Sequence, residues 1–188
     1  MGIEALNKEI RTCIRCRLAE TRGKALCGEG NLQARLILIA QAPGENEDRE
    51  GRMFIGPSGK VLDELLRRVG VDRGEVYMTN LVKCFLPRYR KPKRDEIESC
   101  SRYLDREIEL IGPKALAPLG YHATRYILEK HGLPIPPKAD FRSVYGKVFE
   151  GDERQILPLQ HPAAALYDPS IMNVMVENYA RIKVWIRQ

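Results

Sequence analysis

The chain alternates between short runs that are apolar throughout and longer stretches in which apolar residues recur every three or four positions. Four runs are of the first kind: residues 36–40 (LILIA), 76–82 (VYMTNLV), 115–119 (ALAPL) and 156–159 (ILPL). Unbroken apolar runs of this length predict strands buried on both faces. Pro118 and Pro158 cannot donate to a ladder, so they stand at strand ends or weaken the last two strands. The second pattern predicts helices. Residues 58–69 place Val61, Leu62, Leu65, Leu66 and Val69 on one face. Residues 94–111 do the same with Ile97, Cys100, Leu104, Ile108 and Ile111, and stop at Gly112-Pro113. Residues 120–130 and 171–187 are two further helical stretches. Strands alternating with helices predict one α/β domain over residues 1–188, a parallel sheet with helices on both sides. Ligands of such sheets sit just beyond the carboxyl ends of the strands. That rule selects Gln41-Ala42-Pro43-Gly44, Asn80 and His161-Pro162 as three converging loops.

Charge adds a hint about the partner. Lys and Arg number 31 against 25 Asp and Glu, a net charge of +6. An excess of this size suits a polyanion, and solubility alone accounts for it equally well. The stretch RYRKPKR at 88–94 is sharper, because it packs five basic residues and Tyr89 into one connection inside a compact pattern. Arg88, Arg90, Lys91, Lys93 and Arg94 are candidate phosphate contacts, with Tyr89 as a stacking ring. No apolar run approaches the roughly 18 residues of a membrane span. The first residues read as an amphipathic helix without a signal peptide's apolar centre. A cytoplasmic protein with no membrane contact is expected.

Candidate chemistry sits on few residues. Cys13 and Cys16 form a C-x2-C pair, Cys84 and Cys100 are far along the chain, and Cys27 stands apart as a buried or free thiol. A zinc ribbon wants two such pairs, whereas a four-thiolate iron–sulfur cluster accepts scattered ligands. Buried cysteines that ligate nothing are also common. Asn80 offers an acceptor and two donors on one planar amide, matching the edge of a pyrimidine, although strand-end Asn more often forms turns. His161 is held extended by Pro162, so its imidazole projects from a strand tip. Phe54 is either core or a platform for a base, and the small residues after it allow a flat ligand to approach.

Together these residues resemble the family 4 uracil-DNA glycosylases, the thermostable iron–sulfur branch of that superfamily. The family shows C-x2-C, a strand ending in Gly-Glu-Ala-Pro-Gly, a PFVG segment, TNVVKC, a distant cysteine and a final HP motif. This chain shows CIRC, AQAPGENED, MFIGPSG, TNLVKC, Cys100 and HPAAAL in the same order. The resemblance implies a three-layer α/β/α sandwich with a central four-stranded parallel sheet. It implies a [4Fe–4S] cluster on Cys13, Cys16, Cys84 and Cys100. It further implies that uracil is flipped from single- or double-stranded DNA, stacked on Phe54, read by Asn80 and contacted by the backbone of Gln41, Ala42 and Pro43. His161 would then stabilise the departing base, and Leu166 would be the apolar wedge in the duplex. A monomer is expected, with a sliding clamp left open as a partner.

Two departures stand out. Gln41 replaces the family's Glu and Ala40 its Gly. If that carboxylate orients water, Gln41 slows turnover, with Glu45 or Glu47 as substitutes. Three other readings stay open: a relative that recognises another deaminated base such as hypoxanthine, one that binds uracil with weak catalysis, and a zinc-stabilised module without catalysis. Covalent trapping by a histidine near the fourth cysteine is disfavoured, because residues 85–99 contain no histidine.

Overall fold

The structure is a computed structural model describing residues 2–186. Six strands form one sheet: β1 (Glu29–Gly30), β2 (Leu36–Ala40), β3 (Tyr77–Asn80), β4 (Ala115–Pro118), β5 (Phe149–Glu150) and β6 (Gln155–Ile156). Their order is β1-β3-β2-β4-β6-β5. The inner four are parallel, with Ile37 beside Tyr77 and Leu116, and Ala40 beside Asn80. Those four correspond to the four apolar runs. The expected central four-stranded parallel sheet is present, and β1 and β5 add two-residue antiparallel edges too short to carry a periodic signal. Pro118 closes β4, and one bridge between Leu119 and Leu159 extends the pairing past Pro158.

Side chains alternate across the sheet, so each strand feeds two cores. Leu36, Leu38, Ala40, Met78 and Ala117 pack with Leu62, Leu65, Leu66 and Val69 of one long helix and Met175 and Tyr179 of another. Ile37, Ile39, Tyr77 and Leu116 pack on the opposite side with Leu6, Ile10, Leu104, Ile108 and Ile127. Helices therefore cover both faces: α1 (Ile3–Arg11), α2 (Glu45–Glu50), α3 (Pro57–Val69), α4 (Arg94–Ile111), α5 (Tyr121–Lys130), α6 (Ala164–Tyr167) and α7 (Met172–Tyr179). Each buried Leu or Ile contributes about 1.5–3 kcal/mol by leaving water. Gly112, with φ 62°, ends α4 in the left-handed conformation that glycine adopts without strain.

Two local expectations change. The acidic run after Gly44 is the helix α2, whose first turn carries Glu45, Glu47 and Asp48 at the positive end of the helix dipole. The helix expected over 171–187 is instead α7, a 3-10 turn over Ala180–Ile182 and a short helix Lys183–Ile186, and Arg187 lies outside the described residues. None of the described helices is long and apolar enough to cross a membrane.

One polar group of the core bears on the site. Lys83, just beyond β3, is fully buried and pairs with the buried Glu107 of α4, and both bond Thr79 next to Asn80. Glu107 also accepts the Gly28 N–H at 3.0 Å. A buried pair of this kind costs several kcal/mol when one partner is removed, so it fixes the strand end that presents Asn80.

Candidate active site

A cleft opens where β2, β3 and the segment after β6 end. Gln41, Ala42, Pro43, Phe54, Asn80 and His161 all line it. The parallel pairing continues past the strands, with the Leu81 N–H on the Ala40 carbonyl at 2.8 Å and the Val82 N–H on the Gln41 carbonyl at 2.9 Å. Those bonds set Gln41 and Asn80 side by side. Three loops distant in sequence thus meet in one pocket, as the strand-end rule predicts.

Phe54 holds a left-handed backbone with φ 50°, which costs a non-glycine residue roughly 1–3 kcal/mol. The surroundings enforce it. Glu47 Oε1 accepts the N–H of Ile55 at 2.9 Å and of Gly56 at 2.7 Å. Arg73 donates to the carbonyls of Phe54 and Met53. A Cβ on Gly59 would lie 1.8 Å from the Phe54 carbonyl oxygen, so only glycine permits this approach. Glu47, the expected substitute carboxylate, lines the same cleft. Its side chain is buried and fastens the Phe54 loop, and Oε2 lies against Gly44. Glu45 is exposed at the rim and accepts from the Tyr89 hydroxyl at 3.2 Å.

Asn80 is buried on the cleft floor, where its Nδ2 lies 3.2 Å from the sulfur of Met53. A thioether is a weak acceptor, so a carbonyl oxygen entering the cleft would outbid it. Met53 occupies the place of the family's Pro and went unnoticed in the sequence, because a lone Met reads as core.

His161 faces Phe54 across the cleft, ring centroids 6.2 Å apart. Its Nδ1 accepts the Ala163 N–H at 3.1 Å, so the neutral ring carries its proton on Nε2. His161 is partly buried at the cleft. Burial pushes its pKa down to about 4. His161 is therefore a neutral donor at physiological pH. The turnover rate is expected to show no His161 titration between about pH 6 and 8, in contrast to an ordinary histidine near 6.5; a pH–rate profile checks this. Below 6.5 the unfolded chain takes up a proton that the folded one refuses until about 4, so stability contributed by this group falls as pH drops through that window.

Of the residues expected to meet DNA, Arg90 and Leu166 line the cleft. Leu166 and Tyr167 of α6 line it from one side and Tyr89 from the other. Arg88, Lys91, Lys93 and Arg94 are exposed. Arg90 lines the cleft, and both its terminal nitrogens bond the buried Glu96, at 2.8 and 2.6 Å, bracing the start of α4. Arg94 pairs with Glu98 one turn away on the surface.

Cys13, Cys16, Cys84 and Cys100 line a second, small cavity on the far side of the 81–84 segment. Cys27 is not among its lining and sits half-buried by Asn7. Among the described residues no three His, Cys, Asp or Glu side chains are close enough to share a single ion. A polynuclear cluster spaces its thiolates more widely than one ion does, and the donor set suits it. The Lys83 N–H points at the Cys100 sulfur, 3.1 Å away, and Arg22 at the Cys84 sulfur, 3.4 Å away. Both donors favour the thiolate, but burial outweighs them, pushing the Cys100 thiol up to about 12 and the Cys84 thiol upward as well. Four cysteines on one cavity, two of them with donors aimed at sulfur, fit an iron–sulfur cluster.

Comparison with known proteins agrees with this geometry. Residues 27–182 match the model of the uracil DNA glycosylase superfamily. A type-4 uracil-DNA glycosylase of Sulfurisphaera tokodaii is 40% identical over 97% of this chain and 84% of its own. Those of Archaeoglobus fulgidus and Thermotoga maritima are 34% and 31% identical, over 96% and 99% of this chain and 92% and 95% of theirs. The chain belongs to the uracil-DNA glycosylase superfamily and, within it, to the type-4 family.

Proposed function

We propose that this protein is a DNA-repair enzyme that extrudes uracil from DNA and hydrolyses its N-glycosidic bond, leaving an abasic site. The observation that carries it is the meeting of Asn80, Phe54 and a neutral His161 in one cleft. Extruding a base costs a few kcal/mol of stacking and pairing. Phe54 returns stacking on one face of the base. Asn80 pairs its amide with the pyrimidine edge. Cytosine presents a donor where uracil presents O4, and a buried amide facing another donor loses about 1–3 kcal/mol. As the bond breaks, negative charge gathers on the base, and the Nε2–H of His161 is placed to receive it. A neutral, preorganised donor needs no reorganisation at that moment. The backbone of Gln41, Ala42 and Pro43 holds the base from the strand side.

With Glu47 fastening the Phe54 loop and Glu45 on the rim, Gln41 stands where an anionic partner for the sugar cation would be. Gln41→Glu is expected to raise the turnover rate on the order of 10-fold, toward the range of positioned bases, read in single-turnover kinetics. An unchanged rate would assign position 41 a backbone role alone.

The cluster would tie Cys13 and Cys16, after α1, to Cys84 and Cys100. It supplies a structural cross-link between the N-terminal segment, the end of β3 and α4. Cys100→Ala is expected to abolish the brown colour and lower the melting temperature by several degrees, seen by visible absorption and calorimetry. A colourless wild-type protein would remove the cluster from this account.

A panel of oligonucleotides carrying one uracil, hypoxanthine or thymine tests the substrate. Release is expected from uracil alone. Release of hypoxanthine at a comparable rate would favour the reading in which Gln41 shifts the target base.

A further inference from the structure

Tyr89 and Tyr167 are the two exposed aromatic side chains among the described residues, at 71% and 90% exposure, and both line the rim of the same cleft. Both rings stay largely in water although they line a cleft. Their settings differ from those of free surface residues. Tyr89 follows Arg88, and both hold left-handed backbones, φ 54° and 57°. Such strain persists where the fold fixes an orientation. Phe85 packs edge-on against Tyr89 at 5.4 Å, and Glu45 takes its hydroxyl, so the ring is fixed from two sides. Tyr167 ends the short α6, directly after Leu166, which is itself 48% exposed. The exposed cations Arg88 and Lys91 lie beside Tyr89, as a strand's phosphates would require.

Phe54 offers one stacking face, and Tyr89 and Tyr167 are two further rings on the same cleft. Every nucleobase has a π-face, so a fixed aromatic at a cleft mouth is a stacking platform that is tolerant of sequence. In a duplex the neighbouring base is already stacked on its own strand. In a single strand it is free to turn onto a tyrosine.

We propose that Tyr167 and Tyr89 form an aromatic subsite that stacks an unpaired base adjacent to the extruded uracil, and that it favours single-stranded DNA as substrate. This rests on the proposed reading of the cleft as a uracil site.

The test measures binding apart from cleavage. A single-stranded oligonucleotide carries one 2′-fluoro-deoxyuridine, whose electron-poor sugar resists hydrolysis, and fluorescence anisotropy gives Kd across a range of salt. Tyr167→Ala is expected to weaken binding about 5- to 100-fold, the span of one stacked base. The slope of log Kd against log salt should stay the same, because no charge is removed. Tyr167→Phe should keep wild-type affinity. Replacing the flanking bases by abasic spacers should weaken the wild type and abolish the effect of Tyr167→Ala. On a duplex the same substitution should matter less than about threefold. Wild-type affinity in Tyr167→Ala, an equal loss on the duplex, or indifference to the spacers would each overturn the subsite. Tight binding of the analogue with no release of uracil from the natural oligonucleotide would overturn the proposed activity instead and leave the subsite to be judged by the same affinities.

Discussion

His161→Ala is expected to lower the single-turnover rate of uracil release by about 10²–10³-fold, the cost of removing one preorganised donor from a developing anion. KM should move much less, since the donor acts chiefly once charge has formed. The fold should survive. The side chain's hydrogen bond is to Ala163 N, which can turn to water at the cleft, and the backbone of the segment is held by the bond of Gly120 N to Leu159 O at 2.8 Å. Circular dichroism and the cluster's colour should match the wild type. A loss below about threefold would mean that the departing base is stabilised elsewhere, by backbone donors of 41–43. A wild-type rate that changes with a midpoint near pH 6.5 would contradict the neutral-donor reading.

Glu47→Ala is expected to rival that effect without touching the reacting atoms. It strips the Ile55 and Gly56 N–H groups of their shared acceptor beneath a loop whose Phe54 is already strained. Each unpaired buried donor costs about 1–3 kcal/mol, so the loop should leave its left-handed conformation and the stacking face should turn away. A rate loss on the order of 100-fold is expected, with KM raised as well, because stacking contributes to binding. Glu47→Gln keeps an oxygen at the same place and should recover most of the activity. That rescue separates positioning from chemistry: a carboxylate acting as base would not be replaced by an amide. If Glu47→Gln were as impaired as Glu47→Ala, Glu47 would have a catalytic role.

The parts of this arrangement legible in the sequence are those with a periodic or directional signature. Unbroken apolar runs marked β2, β3, β4 and β6, and the rule that ligands sit at strand ends brought Gln41, Asn80 and His161 together before any coordinates. The four cysteines on one cavity are the set that the family resemblance implied, with helix phase placing Cys100 inward. What stayed hidden depends on three dimensions. Glu47 bonds backbone N–H groups eight and nine residues away, and an N–H carries no residue identity. Lys83 and Glu107 look like surface charges in sequence and become a buried pair only when β3 meets α4. Arg90 reads as one more cation in a basic run until Glu96 is placed beside it. Tyr167 lacked a signal because exposure, not spacing, distinguishes it.

The central claim is that this cleft removes uracil from DNA. It is tested most directly by incubating the purified protein with single- and double-stranded oligonucleotides containing one uracil, then treating with alkali. Strand breaks at the uracil position, matched by free uracil in solution and absent from oligonucleotides with thymine at that position, are the predicted result. Intact strands in both forms, from protein that is folded and coloured, would contradict it.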